Sequence, residues 1–324
     1  MQSKVFKAKN NLDLSKPGFQ WRNYIVYIAF VVIFIFFGIT LQDYGFHTSN
    51  NLMNIVRSTT MITIMAAAMT FVMASGEIDL SVGSTAAFAA LISALTMDAG
   101  FGVIGAFAAG VVAGVLIGAI NGFLVTKVAI PSFLVTLGMM QLVRGVSMWM
   151  TDTKPVIIRN KTFISIFGSG NLGPIPSLLI WSVVILIIGH IVLKRMPFGR
   201  KILATGGNRL SAEYSGINTG RIKFTALLIS GAAAGISGML YSGMMQSARY
   251  SFGQGDELNA IAAVIIGGTS LFGGTGSIIG TVIGSLMIGT INNGLIIMGL
   301  QVSQQMIVSG AIIILAVAFG KKMR

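Results

Sequence analysis

Ten apolar stretches, most of them about as long as a hydrocarbon bilayer is thick, divide this chain, and no other feature restricts its fold as severely. They run over residues 24–41, 54–74, 78–96, 101–125, 131–150, 177–193, 222–247, 258–272, 276–297 and 302–319. A helix needs roughly 20 apolar residues to cross a bilayer, and in lipid it satisfies all of its own backbone hydrogen bonds. The pattern therefore predicts an all-α integral membrane protein of about ten transmembrane helices. The third and eighth stretches are short and open on acids, which leaves a broken or re-entrant helix open for either. Composition agrees: with 54% hydrophobic residues and only nine acids, the chain cannot clothe a water-soluble surface.

The net charge of +13 would point a soluble protein toward nucleic acid. Here the positive residues lie between apolar spans, so they read as topology signals facing membrane lipid, with no nucleic acid as partner. Ten spans put 16 of the 22 Lys and Arg residues on one side, and short cytoplasmic loops carry such an excess. Both termini are thus expected in the cytoplasm, in a multi-pass protein of the cytoplasmic (inner) membrane. The first apolar run follows Lys4, Lys7, Lys9, Lys16 and Arg22 and lacks a small-x-small cleavage site, so it is expected to be an uncleaved first helix. The resulting division is a cytoplasmic segment 1–23, a transmembrane domain 24–319 with a cytoplasmic loop 194–223, and a tail 320–324. With no cysteine and only His47 and His190, neither a thiolate nucleophile nor a histidine-rich metal site is expected, and an intramembrane hydrolase lacks a serine with a histidine at depth.

The segment "GVLIGAINGFLV" (114–125) echoes "GSLMIGTINNGLII" (284–297), and each is preceded by an acid-led short span, "GEIDLSVGS" from 76 and "GDELNAIAA" from 255. In the ten-span topology the paired helices run in opposite directions. That is the trace of an inverted repeat of two five-helix halves with the substrate path between them. Glycines recur every fourth residue at Gly110, Gly114, Gly118 and Gly122, at Gly276, Gly280 and Gly284, and at Gly231 and Gly235. A face bare of side chains lets helices approach closely in lipid. The glycine-rich run 267–277 lacks the lysine of a phosphate-binding loop, so it reads as a sharp turn. If ATP drives this protein, another chain hydrolyses it.

Glu77, Asp79 and Arg144 lie in or beside apolar spans, where an unpaired charge is costly. Pairing of Arg144 with Asp79 or Glu77, or capping of a broken helix by Asp79 and Ser81, accounts for them structurally. A place along a translocation path accounts for them functionally, together with Gln141, Asn292 and Asn293, neutral polar groups that a hydroxyl-rich solute could use. Helix-to-helix hydrogen bonding explains the last three equally well. A proton relay through Glu77 and Asp79 would make the chain an ion-coupled secondary carrier. The long polar segment 194–223 opens on positives, breaks at Gly206 and Gly207, and offers a short helix-competent piece over 209–214 ended by Gly216. A short helix lying along the cytoplasmic face suits docking by a motor domain; a solvated basic loop near anionic lipid is the plainer reading.

Four ordered segments carry a resemblance: "MTFVMASGEIDLSVGS" (69–84), "GGNRLSAEYSGI" (206–217), "ELNAIAAVIIGGTSLFGGTGSIIGTVIGSLMIGTINNGL" (257–295) and "QMIVSGAIIILAV" (305–317). From about residue 50 onward the chain resembles the ribose/xylose/galactose-type ABC importer permeases. The resemblance implies a permease subunit without enzymatic activity or cofactor. Its implied partners are a second permease copy, identical or related, an ABC ATPase subunit, and a periplasmic or lipid-anchored sugar-binding protein. It also implies that the ATPase-coupling segment maps onto Gly206, Gly207, Asn208, Ala212, Ser215, Gly216 and Ile217. Two departures stand out: Glu77 replaces the glycine usual before Ile-Asp-Leu-Ser, and Leu210-Ser211 replace a pair of alanines.

Overall fold

The structure, a computed structural model, describes residues 25–322; the segment 1–23 and the last two tail residues lie outside the described residues. Each of the ten apolar stretches contains one helix: α1 (Ile25–Thr40), α2 (Ser49–Ala74), α3 (Val82–Thr96), α4 (Gly102–Thr126), α5 (Ser132–Thr151), α7 (Ser177–Lys194), α10 (Thr219–Met245), α11 (Asp256–Ile266), α12 (Ile278–Ile297) and α13 (Val302–Lys322). Short helices α6 (Lys161–Ile164), α8 (Pro197–Gly207) and α9 (Arg209–Tyr214) lie in the connections. Among the described residues six helical spans are long and apolar enough to cross a membrane, counting α3 and α4 as one run through the turn at Met97–Phe101. The protein is an all-α, multi-pass membrane protein. Exposed Val, Ile and Phe side chains along α1 and α7 give it a surface suited to lipid.

Both acid-led stretches are only partly helical. Residues 77–81 are not helical, and α3 starts only at Val82. The eighth stretch was expected over 258–272, but α11 stops at Ile266 because the chain turns left-handed at Gly268 (φ +87°). The run 267–277 is the sharp turn expected of it. The connection between α5 and α7 is more ordered than a sequence reading suggests. There β1 (Val156–Ile157) pairs antiparallel with β4 (Ser247–Ala248), and β2 (Asn171–Leu172) pairs with β3 (Ile175–Pro176).

The glycine stripes are packing faces. A Cβ at Gly114 would lie 2.2 Å from the Gly231 carbonyl oxygen, and one at Gly231 would lie 2.2 Å from that of Gly114. Gly118 meets Leu227 and Gly110 meets Met239 in the same seam, so α4 and α10 cross backbone to backbone, antiparallel. Likewise Gly280 and Gly284 of α12 press on Gly267 and on Ala263 of α11.

The repeat is visible in the packing. The partner of α4 is α10, as that of α12 is α2; α3 leans on α10 as α11 leans on α2; and α2 touches α10 at the centre. Exchanging α2–α3–α4 for α10–α11–α12 preserves this pattern. Lys223, near the start of α10, reaches Glu77, just past the end of α2. Because α4 is antiparallel to α10 and α12 antiparallel to α2, α4 and α12 point opposite ways, which is the inverted relation expected.

Hydroxyl pairs join α2 to α12: Thr63 Oγ1 lies 2.7 Å from Ser285 Oγ, and Thr70 Oγ1 lies 2.8 Å from Thr281 Oγ1, both buried. Such bonds are modest in membrane proteins because alternative partners are available in the unfolded state. A double-mutant cycle on Thr70→Val and Thr281→Val, read by unfolding in mixed micelles, is expected to give a coupling of about 0.6 kcal/mol.

Candidate functional site: a capped helix joined to a buried polar hub

Helices α8 and α9 occupy the long polar connection. Proline at the N-terminus of α8 presets the first turn, while Ile202 and Thr205 are buried and anchor the helix on the bundle. Asn208 ends α8 and caps α9, its Oδ1 accepting from the Ser211 backbone N–H at 3.0 Å. At the other end the Ile217 N–H bonds back to the Ala212 carbonyl and the Gly216 N–H to that of Glu213, with Gly216 left-handed (φ +78°). This pair of bonds closes a helix with glycine one residue past its cap. The isolated helix has only six residues, and these two caps are what define it.

The residues expected to form the coupling contact thus divide by role. Asn208, Ser215, Gly216 and Ile217 build the caps of α9, Ala212 is buried beneath it, and Gly206 is a packing joint whose Cβ would sit 2.0 Å from the Ala74 carbonyl oxygen. A Cβ on Gly207 would meet Gly274 at the ordinary distance of 3.7 Å, whereas one on Gly274 would lie 2.8 Å from the Gly207 Cα. What α9 presents outward is Leu210, 64% exposed, and Tyr214, 91% exposed. The signal for them was present in the sequence, since two apolar residues four apart share a helix face within an otherwise polar segment. Glu213 ties α9 down, accepting from Thr219 Oγ1 at 2.6 Å and from Arg209 Nε at 2.9 Å. The Thr219 hydroxyl first, and then Arg209, hold the Glu213 carboxyl below its ordinary value of 4.5.

Beneath this segment the non-helical residues 77–81 form a polar hub. Asp79 is 1% exposed, and its Oδ1 accepts from the Ser81 N–H at 2.9 Å and the Ser81 hydroxyl at 2.6 Å. Its Oδ2 accepts from Ser230 of α10 at 2.7 Å, and Asn121 of α4 donates to the Ser81 hydroxyl at 2.9 Å. The Ile78 N–H donates to Ser132 Oγ at 3.2 Å, and its carbonyl accepts from Thr136 Oγ1 at 3.3 Å, both on α5. A break in a membrane helix frees backbone groups that the surrounding helices must satisfy. Here the Ser132 and Thr136 hydroxyls and the Asp79 carboxylate do so.

The expected pairing of Arg144 with Asp79 or Glu77 is not what the structure shows. Glu77 forms an ion pair with Lys223 of α10, and Asp79 is satisfied by serines. Arg144 donates to the Tyr250 carbonyl and, at 2.9 Å, to the Phe252 carbonyl. Asp256 and Glu257 stand at the start of α11. Asp256 accepts from the Tyr241 hydroxyl. The capping expectation holds in part: Asp79 organises the turn into α3, but the Ser81 side chain caps no backbone N–H.

Of the neutral path candidates, Asn293 exchanges two hydrogen bonds of 3.0 Å with Asn51 of α2, and Asn292 accepts from Ser309 of α13 at 3.4 Å. Gln141 is exposed on α5, on the same helix as Gly138 and Gly145, beside which a Cβ would meet no atom within 4 Å.

A bundle of antiparallel helices with two breaks, closely packed through glycine, and carrying a capped external helix is the architecture of a membrane transport component. A family model described as branched-chain amino acid transport system / permease component matches residues 51–317. The chain belongs to this permease family. It is 39% identical over 281 residues to the ribose import permease protein RbsC of Escherichia coli K12, covering 86% of this chain and 88% of that protein. It is 37% identical over 319 residues to the D-allose transport system permease protein AlsC of the same strain, covering 97% of each. It is also 33% identical over 300 residues to the L-arabinose ABC transporter permease protein AraH of Azospirillum brasilense, covering 92% of this chain and 87% of that protein. No solved structure matches the chain.

Proposed function

We propose that this chain is the membrane-spanning subunit of an ABC importer that passes a monosaccharide or sugar-like solute across the inner membrane by alternating access. The observation that carries the reading is α9: a capped helix on the outside of a permease-family bundle, offering Leu210 and Tyr214 to a partner. The segment 194–223 faces the cytoplasm together with both termini. A separate ATPase docks on α9, and the permease itself catalyses no reaction. At the other end, a cleft lined by Asp98, Arg159 and Asn160 between the α3–α4 turn and β1 offers polar surface to a sugar-binding protein. A second permease copy completes the pore, with the open face of α5 around Gln141 turned toward the path. The relatives named for ribose, D-allose and L-arabinose support a monosaccharide as cargo.

Leu210→Asp combined with Tyr214→Ala tests this reading. Truncating buried anchors at an interface costs about 2–4 kcal/mol of binding, so the doubly substituted permease should insert normally but lose its ATPase on purification. Retention of the ATPase at full stoichiometry by that variant would overturn the assignment of α9.

A further inference from the structure

We infer that Glu77 and Lys223 are a pair of positioning residues, a charged strut that transmits movement of the docking helix α9 to α5. Three consecutive links make the connection. Glu213 of α9 accepts from Thr219 in the first turn of α10 at 2.6 Å. One turn further on, Lys223 forms its ion pair with Glu77, both side chains largely shielded at 17% and 12% exposure. The adjoining residue, Ile78, bonds through both backbone groups to Ser132 and Thr136 at the start of α5. Thus polar side-chain contacts link α9, the beginning of α10, the break before α3 and the beginning of α5.

The chemistry of the middle link suits this task. Residues 77–79 lie between helices; the Glu77 N–H bonds back to the Val72 carbonyl of α2, whereas Ile78 and Asp79 take their position from the side-chain hydrogen bonds around them. A shielded ion pair resists separation because parting leaves an uncompensated charge in a poor solvent. When α10 shifts, moving Glu77 along with it is therefore easier than breaking the pair. Ile78 and the first turn of α5 must follow. Further along α5 lie Gln141 and Arg144, whose guanidinium is bound to the loop preceding α11, so a displacement of α5 would also be felt at the second broken helix. Glu77 is one residue removed from the bonds to α5 and two from Asp79, which is why its charge, rather than the buried hub itself, is the adjustable part.

This inference rests on the importer reading, and one experiment separates the two. The chain has no cysteine, so Gly138→Cys on α5, where the added atom meets nothing within 4 Å, supplies a single reporter thiol. The complete transporter, with its ATPase, is placed in lipid nanodiscs, and the rate of reaction with a water-soluble maleimide is measured with and without ATP and vanadate. The reporter background should respond to nucleotide. Glu77→Gln, and Glu77→Gln with Lys223→Gln, should keep the ATPase bound but reduce that response about tenfold, within the usual range of coupling between sites. The exchanged pair, Glu77→Lys with Lys223→Glu, should restore it. The double neutral variant strands no charge, so it is expected to assemble. A full nucleotide response in that variant would overturn the strut while leaving the importer intact, and failure of the exchanged pair to restore it would show that charge pairing is not the transmitting element. No response in the reporter background itself would count against the importer reading, and the strut would fall with it.

Discussion

Valine at Gly231 is expected to abolish the closely packed seam between α4 and α10 and, with it, the stable bundle. Even the first added carbon would lie 2.2 Å from the Gly114 carbonyl oxygen and 3.0 Å from Gly118. These neighbours are backbone atoms of a straight helix, so no side chain can rotate away. Overpacking of a well-filled interface costs about 1–3 kcal/mol and more where backbone must move; this seam belongs to the latter class. Membrane-inserted protein should fall to a small fraction of the wild-type amount, and whatever survives should unfold at lower temperature in detergent. Gly138→Ala and Gly310→Ala are the controls, since neither added carbon has a neighbour within 4 Å. Alanine in a helix interior is favoured over glycine by about 0.5–1 kcal/mol, so these two should be neutral or slightly stabilising. Normal amounts of Gly231→Val protein would mean that α4 and α10 are not in contact through this face.

Asp79→Ala should have the second large effect. It strands three donors, namely the Ser81 N–H, the Ser81 hydroxyl and the Ser230 hydroxyl, in a site from which water is excluded. Each unsatisfied buried group costs about 1–3 kcal/mol, and although the three are not additive, a loss of several kcal/mol is expected. Asp79→Asn should be milder, because its amide oxygen can still receive both Ser81 donors and the Ser230 hydroxyl can turn to accept. The order wild type, Asn, Ala in unfolding free energy, measured in mixed micelles, is the check. Equal stability of Asp79→Ala and wild type would show that the break before α3 does not depend on this carboxyl.

The fold was largely legible because its governing signals are local and compositional. Length and apolarity marked the helices of the bundle, acids at 77 and 256–257 marked the places where helix gives way to turn, and glycines at fourfold spacing marked the faces that touch. The capped helix α9 was legible for the same reason: Asn208 and Gly216 bracket six residues, and their capping roles follow from their own chemistry. The pairings were not. Glu77 finds Lys223 at a separation of 146 residues, and nothing in either neighbourhood singles out the other. Arg144 was expected to seek a carboxylate, yet it bonds to the carbonyls of Tyr250 and Phe252, acceptors that every residue possesses and that leave no trace in a sequence. The polar asparagines of α12 admitted two readings, and the structure places one of them against Asn51 and the other against Ser309.

The close approach at Gly206 has one more consequence. At that point the backbone of α8 lies against the Ala74 carbonyl at the end of α2 and against the turn at Gly273 and Gly274, whose own N–H bonds to the same carbonyl at 3.0 Å. One of those neighbours belongs to the first half of the repeat and the other to the second. A force applied to α8 would therefore reach both halves at this shared joint, and halves of inverted sense would tilt in opposite directions under it. Opening at one face and sealing at the other would then be a single motion, with no separate timing device required.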